Sequence, residues 1–190
     1  MQVPENKTTS TITEEEQIEL AKKNPAEFEP LYNKYYKSVF VFVYHRTGLK
    51  DLTADITSQV FLKALVHLPK YSYRGVPFCS WLFRIAVNEV NQFYRKNKLK
   101  RVVIIEPRQA EKLSEIVFAD EIESNETDIL YKILNTLNPE DLQIIELRYM
   151  EERPFKEVAE ILGISENNAK VKVYRIIEKM RRQIKKWHEE

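Results

Sequence analysis

Residues 160–172, near the C-terminus, read EILGISENNAKVK. A helical pattern stops at Gly163 and a second one starts at Ser165, with only Ile164 between them. Glycine supplies the left-handed backbone that ends a helix sharply, and serine is a favoured N-cap. The wider stretch PFKEVAEILGISENNAKVKVYRIIEKM, from Pro154 to Met180, therefore has the layout of a helix-turn-helix. Val158, Ala159 and Leu162 face inward on its first helix, and Ala169, Val173, Ile176 and Met180 on its second. The opposite face of the second helix holds Glu166, Asn167, Asn168, Lys170, Val171, Tyr174 and Arg175. A helix presented this way fits the major groove with its first turns against base edges. Asn167 and Lys170 are the candidates for base contact, whereas Lys172, Arg175, Lys179 and Arg182 suit phosphates. The same layout also occurs as plain packing geometry, so the charge around it matters.

The net charge of +1 hides strong segregation. From Arg84 to Arg101 six cations face one anion, Glu89, for a balance of +5. From Glu106 to Asp128 eight acids face Arg108 and Lys112, for −6. From Lys170 to Lys186 eight cations face Glu178, for +7. Two cationic surfaces joined by an anionic segment are what a polyanion gripped at two places requires. Solvated helix faces and a solvated linker give the same counts, and charge alone leaves both readings open.

At 190 residues the chain has room for one large or two small domains. Its 43% hydrophobic and 31% charged content is that of a globular protein. No stretch approaches the roughly 20 apolar residues of a membrane span, so no membrane insertion is expected. The N-terminal MQVPENKTTSTITEEEQ has no apolar core segment, and no secretory leader is expected. Cys79 is the only cysteine, which rules out an internal disulfide and fits a reducing, cytoplasmic setting.

The pattern along the chain is helical. All three glycines, Gly48, Gly75 and Gly163, fall at breaks between helical stretches. Pro25, Pro77, Pro139 and Pro154 fit first-turn positions, Pro69 closes a helix, and Pro30 either restarts or kinks one. Leu31, Tyr35, Val39, Phe42 and Val43 recur at helical spacing up to Gly48. Asp51 is placed to cap the next helix, and a long one runs from about Phe78 to Lys98. The expected fold is all-α: residues 1–12 disordered, a three- or four-helix domain over 13–98, an acidic and mostly extended linker over 99–125, and a helix-turn-helix domain over 126–187. RVVIIE, at the linker's start, looks strand-like but has no partner strand. Asn138-Pro139-Glu140-Asp141 is a strong helix start, with a cap, a first-position proline and two acids.

In this order and spacing, four segments resemble one family. FEPLYNKYYKSVFVFV, DLTADITSQVFLKAL, YRGVPFCSWLFRIAVNEVNQFYRK and the stretch from Leu134 to Ile184 are similar to bacterial RNA polymerase sigma factors of the small extracytoplasmic-function group. The resemblance covers about Glu27 to Lys186. It implies a transcription initiation factor, not an enzyme, that directs core RNA polymerase to promoters through −10 and −35 elements. Asp55, Ser58, Gln59 and Leu62, one face of a helix by spacing, would meet the clamp coiled coil of the largest subunit. This family usually has Gln-Glu where the chain has Ser58-Gln59.

By the same resemblance Tyr71, Tyr73, Arg74, Arg84, Asn88, Arg95 and Lys96 would handle the −10 element. In the loop YSYRGVP the tyrosines and Arg74 suit stacking on unpaired bases, while Gly75 permits close backbone approach. The alternative for the tyrosines is that they cap a core, and Trp81 reads as core. Glu166, Asn167, Asn168, Lys170, Val171, Lys172 and Arg175 would face the −35 duplex, with Lys172 where relatives commonly have arginine. The second domain would dock on the polymerase flap, and the acidic linker would thread the polymerase cleft. An anti-sigma factor is a further implied partner, although no segment identifies one.

A catalytic alternative finds little support. His45, His67 and His188 lack partners at metal-ligand spacing, and no phosphate loop, nucleophile elbow or dinucleotide fingerprint is present. No cofactor or metal is expected. An autonomous helix-turn-helix regulator is the other reading, but it leaves the aromatic loop and the clamp-like helix without a role.

Overall fold

The computed structural model describes residues 12–99, 104–118 and 126–189, and of the last segment the side chains of 128–186. The described residues are helical or irregular, with no strand among them. In chain order the helices are α1 (Glu14–Lys23), α2 (Glu29–Thr47), α3 (Lys50–His67), α4 (Phe78–Asn97), α5 (Pro107–Phe118), α6 (Glu126–Thr136), α7 (Pro139–Ile145), α8 (Phe155–Leu162) and α9 (Glu166–Glu189). The disorder expected before Thr13 falls almost wholly outside the described residues.

Helices α2, α3 and α4 form the first unit, braced at one end by α1. Helix α1 begins with a reciprocal capping box: Thr13 Oγ1 accepts from the Glu16 N–H at 3.3 Å, and Glu16 accepts from the Thr13 N–H at 2.8 Å. Pro30 lies in the first turn of α2 and so starts it. Val39, Phe42, Val60, Leu82, Phe83 and Ala86 are fully buried between the three long helices. The Phe42 and Phe83 rings stack at 4.3 Å and 10°. Asp51 is not the cap of α3. That helix begins one residue earlier, at Lys50, with Leu49 in the cap position. The junction is held instead by Thr53, whose hydroxyl donates to the Leu49 carbonyl and lies 2.7 Å from the Thr47 hydroxyl. Asp51 still lies in the first turn, where its charge suits the helix dipole.

Helices α5 to α9 form the second unit. As the sequence indicates, Asn138 caps α7 by accepting from the Asp141 N–H at 2.8 Å, with Pro139 in the first turn. Helix α7 continues as a wider π-type turn over Glu146–Met150. Pro154 occupies the cap position of α8, one residue before the first-turn place expected for it.

The segment 99–125, expected to be mostly extended, contains α5. Ala110, Leu113, Ser114 and Val117 are all buried and follow the i, i+3, i+4, i+7 spacing of a helix face. The intervening acids conceal that stripe in the sequence. Gln109 donates to the Met150 carbonyl at 2.7 Å and Arg181 to the Ile116 carbonyl at 2.8 Å, so α5 is fastened to the second unit. The strand-like RVVIIE is described only from Ile104, whose N–H donates to the His45 carbonyl at 3.1 Å. Residues 100–103 and 119–125 of the expected linker lie outside the described residues.

The two units are in contact. Helix α8 lies along α4, and the buried apolar side chains of both units form one continuous cluster.

Candidate nucleic-acid interface

The turn between α8 and α9 is built as its sequence implies. Gly163 is left-handed (φ 67°), and the Ile164 N–H donates to the Ala159 carbonyl at 3.0 Å. Ser165 then accepts from the Asn168 N–H at 3.2 Å and so caps α9. Ala169, Val173, Ile176, Met180 and Ile184 are buried at three- and four-residue spacing, which fixes which side of α9 faces out. Every residue expected at a −35 duplex, Glu166, Asn167, Asn168, Lys170, Val171, Lys172 and Arg175, is exposed on that outer side. Lys170 pairs with Glu166 at 2.7 Å, an i, i+4 bridge in solvent that yields readily to a DNA partner. Tyr174, 67% exposed, and Val171, 38% exposed, give this polar face an apolar centre of the kind that meets a thymine methyl.

The second basic surface, on α4 and the loop before it, is different. Tyr71 is half-buried, edge-on to Phe78 at 5.1 Å and tilted against Trp81 at 4.9 Å. Burial pushes its hydroxyl pKa up to about 12, with help from nearby carboxylates. Tyr71 thus caps a core, whereas Tyr73 is 62% exposed. Asn88, Arg95 and Lys96 are exposed further along α4. Arg74 and Arg84, however, both point at Glu160 of α8, at 3.7 Å and 3.4 Å.

Polar contacts continue along this seam. Ser80 donates to Glu157 at 2.8 Å, and Asn91 donates to Gln143 at 2.8 Å. Arg153 lies 4.5 Å over the Phe83 ring. Deepest is Arg46, 1% exposed, with Glu146 at 3.2 Å and Glu151 at 3.0 Å from its guanidinium. The imidazole of His45 lies between Glu151 and Glu106, 3.6 Å from each. Burial alone would raise the Glu151 pKa, but His45 and Arg46 outweigh it and hold the carboxyl below its usual value. Sequence reasoning missed Arg46, Glu157 and Glu160. Arg46 reads as a cation in the last turn of α2, and the two acids read as a solvated stripe. Their partners are distant in sequence, and no local spacing marks them.

On α3, Asp55, Ser58, Gln59 and Leu62 all face solvent. Leu62 is 55% exposed, and Val66, one turn on and not singled out from the sequence, is 64% exposed. Two large apolar side chains in a polar stripe are the composition of a protein-docking face. Among the described residues no cluster of His, Cys, Asp and Glu could hold a metal ion, and no helix is long and apolar enough to cross a membrane.

Two family models match the chain. Residues 31–100 match the family model Sigma-70 region 2, and residues 127–180 match Sigma-70, region 4. Together the two matches take in about two thirds of the chain. The chain is 29% identical over 177 residues to the ECF RNA polymerase sigma factor BldN of Streptomyces coelicolor; that match covers 88% of this chain and 64% of the relative. It is 26% identical over 153 residues to the ECF RNA polymerase sigma factor SigM of Bacillus subtilis, covering 80% of this chain and 92% of the relative. Two solved structures share its fold at a TM-score of 0.56 each. One is CnrH in complex with the cytosolic domain of CnrY (19% identity, 89% of this chain and 95% of that one). The other is the sigma factor RpoE of Bartonella quintana in complex with the anti-sigma factor NepR (20% identity, 84% and 97%).

Proposed function

The chain belongs to the sigma-70 family, extracytoplasmic-function group, and on that premise we propose that it binds core RNA polymerase in the cytoplasm, directs it to promoters carrying particular −10 and −35 elements, and promotes strand opening there. It works by positioning and performs no catalysis of its own. The observation that carries this reading is the outer side of α9, a capped helix whose seven predicted DNA-facing residues are all in solvent. The first domain, over 13–98, anchors to the polymerase clamp through Asp55, Ser58, Gln59 and Leu62 and takes the −10 strand with Tyr73, Arg74, Arg84 and Asn88. Arg95 and Lys96 hold its backbone. Tyr71 supports that site from its aromatic cluster. The second domain, over 126–187, docks on the flap and reads the −35 duplex. The acidic segment between them passes through the cation-lined polymerase cleft, and replacing its acids with serine should change the ratio of abortive to full-length transcripts.

An anti-sigma partner also belongs to the proposal, supported by the two neighbours of like fold that were solved with partner proteins. The test is to mix the purified chain with core RNA polymerase and genomic DNA and map transcript starts. A stable complex and starts sharing two spaced elements are expected. A chain that leaves polymerase unbound and shifts duplex DNA by itself would instead be an autonomous regulator.

A further inference from the structure

Resting on that reading, we propose that Glu14, on α1, is a positioning residue for −10 recognition: it caps α4 from outside that helix and so fixes the loop, residues 71–77, that offers Tyr73 and Arg74 to the unpaired strand. Helix α1 precedes the residues 31–100 that match region 2. What calls for it is the start of α4. The first N–H groups of a helix have no partners within it. Pro77, in the cap position of α4, makes no side-chain hydrogen bond to them, and the first turn carries no acid. An anion at a helix N-terminus satisfies such groups and suits the dipole. Glu14 supplies that anion from another helix.

Three elements meet at Glu14. Its carboxylate accepts from Lys34 Nζ and the Tyr35 hydroxyl on α2, and from the Phe78 N–H at the start of α4. Burial raises its pKa, but the hydrogen bonds from Lys34 and Tyr35, with that of Phe78, outweigh it and hold the carboxyl below its usual value. Glu14 is therefore an anion at neutral pH. Burial and this carboxylate push the Tyr35 hydroxyl far up, which keeps it a donor. The Tyr35 ring lies 5.8 Å from Phe78, and Phe78 lies 5.1 Å from Tyr71 and 5.3 Å from Trp81. Contacts at Glu14 thus reach the whole aromatic cluster. Ten residues are too few for a stable helix alone in water. The Thr13 capping box starts α1, and Ile18 and Ala21 bury its inner side, which places Glu14 as its first residue.

The loop needs an anchor because its middle has little support. An open groove of about 760 Å³ lies between it and α1, lined by Ile18 and Glu19 of the helix and by Tyr73 and Gly75 of the loop. Helix α1 therefore holds the loop by its ends. At one end it packs on the turn Leu68–Lys70, and Lys22 Nζ lies 5.9 Å over the Tyr71 ring. At the other, Glu14 holds the first residue of α4. Every side chain that must be ordered on binding subtracts from affinity, so a ring and a guanidinium already in place bind an unstacked base and its phosphate more tightly. Asn88 shares this benefit, because α4 carries it as part of one rigid helix.

Trp81 reports on the cluster once the second tryptophan is removed by Trp187→Phe. In the full chain with that change, acrylamide should quench Trp81 more strongly after Glu14→Ala. Glu27→Ala, the same loss of charge in the exposed turn Pro25–Phe28, should leave quenching unchanged. Glu14→Gln keeps an acceptor for Tyr35 and Phe78 and should restore most of the protection. Function is read with holoenzyme reconstituted from the chain and core polymerase, on a promoter found by mapping starts. One wrong base pair weakens such a site by roughly 5–150-fold. In Glu14→Ala the penalty for a changed −10 base should shrink by roughly fivefold, the loss of one such contact, while the −35 penalty stays as in wild type. Misfolding would lower the active fraction and move neither penalty. If Glu14→Ala loses its helical circular dichroism, Tyr35→Phe takes its place and should shift both readings the same way. Unchanged Trp81 quenching, an unchanged −10 penalty or an equal fall in both penalties would overturn the inference. Quenching involves neither polymerase nor promoter, so failure of the sigma reading appears separately, as a wild-type chain that leaves core enzyme unbound.

Discussion

Helices α9 and α4 are both cationic on their outer sides, yet the fold treats them in opposite ways. Helix α9 buries Ala169, Val173 and Ile176 and keeps Asn167, Lys170 and Arg175 in solvent. Helix α4 buries Phe83, Ala86 and Val90 in a similar stripe, but its Arg84 meets Glu160, and Ser80 and Asn91 meet Glu157 and Gln143. The lesson is that a basic helix face is available to nucleic acid only when no acid from elsewhere in the chain satisfies it first.

The sharpest way to break this contrast is at its most buried point. Arg46→Met removes the buried guanidinium that lies 3.2 Å from Glu146 and 3.0 Å from Glu151 and should lower stability by about 3–5 kcal/mol in urea unfolding. An unchanged midpoint would mean that the two units do not meet there. Next in size is Lys170→Ala on the free side. In transcription by the reconstituted holoenzyme it should weaken initiation by about 1–3 kcal/mol at promoters carrying one particular −35 base. A uniform loss over all promoters would assign Lys170 to a phosphate. Asn138→Ala removes the cap of α7, which braces α9, and should cost about 1 kcal/mol in thermal unfolding. It should leave the contact at Arg84 intact.

The smallest expected effect is that of pH. Glu151 is held below its usual carboxylate value when folded, so its ionisation favours the folded form above the unfolded value of about 4.3. That contribution falls away as the pH drops through the folded value. Urea unfolding followed from about pH 7 down to about pH 3 should show the wild type losing this contribution only at the acid end, and Glu151→Gln should flatten the curve.

Much of this was legible in the chain. The Gly163–Ser165 junction, the Asn138-Pro139 start and the exposed side of α9 follow from local rules about caps, turns and 3.6-residue spacing. Two local readings failed for local reasons: α3 starts at Lys50 with Leu49 in the cap position, which puts Asp51 inside its first turn, and α5 was hidden by acids set between its buried residues. Arg46, Glu157 and Glu160 had no such signal. Each reads as an ordinary solvated charge until its partner, 76 or more residues away for Ser80–Glu157 and Arg84–Glu160, is brought to it.

By itself, then, the sequence determined most of the helices, α5 excepted, which side of those is apolar, and that two cationic surfaces flank an acidic stretch. Those are properties of neighbours three and four residues apart, governed by backbone geometry and the burial of apolar area. Only the tertiary structure decided which cations remain in solvent. Charge pairing across the chain depends on where whole helices pack, and a carboxylate and a guanidinium find each other through the fold, not through their spacing.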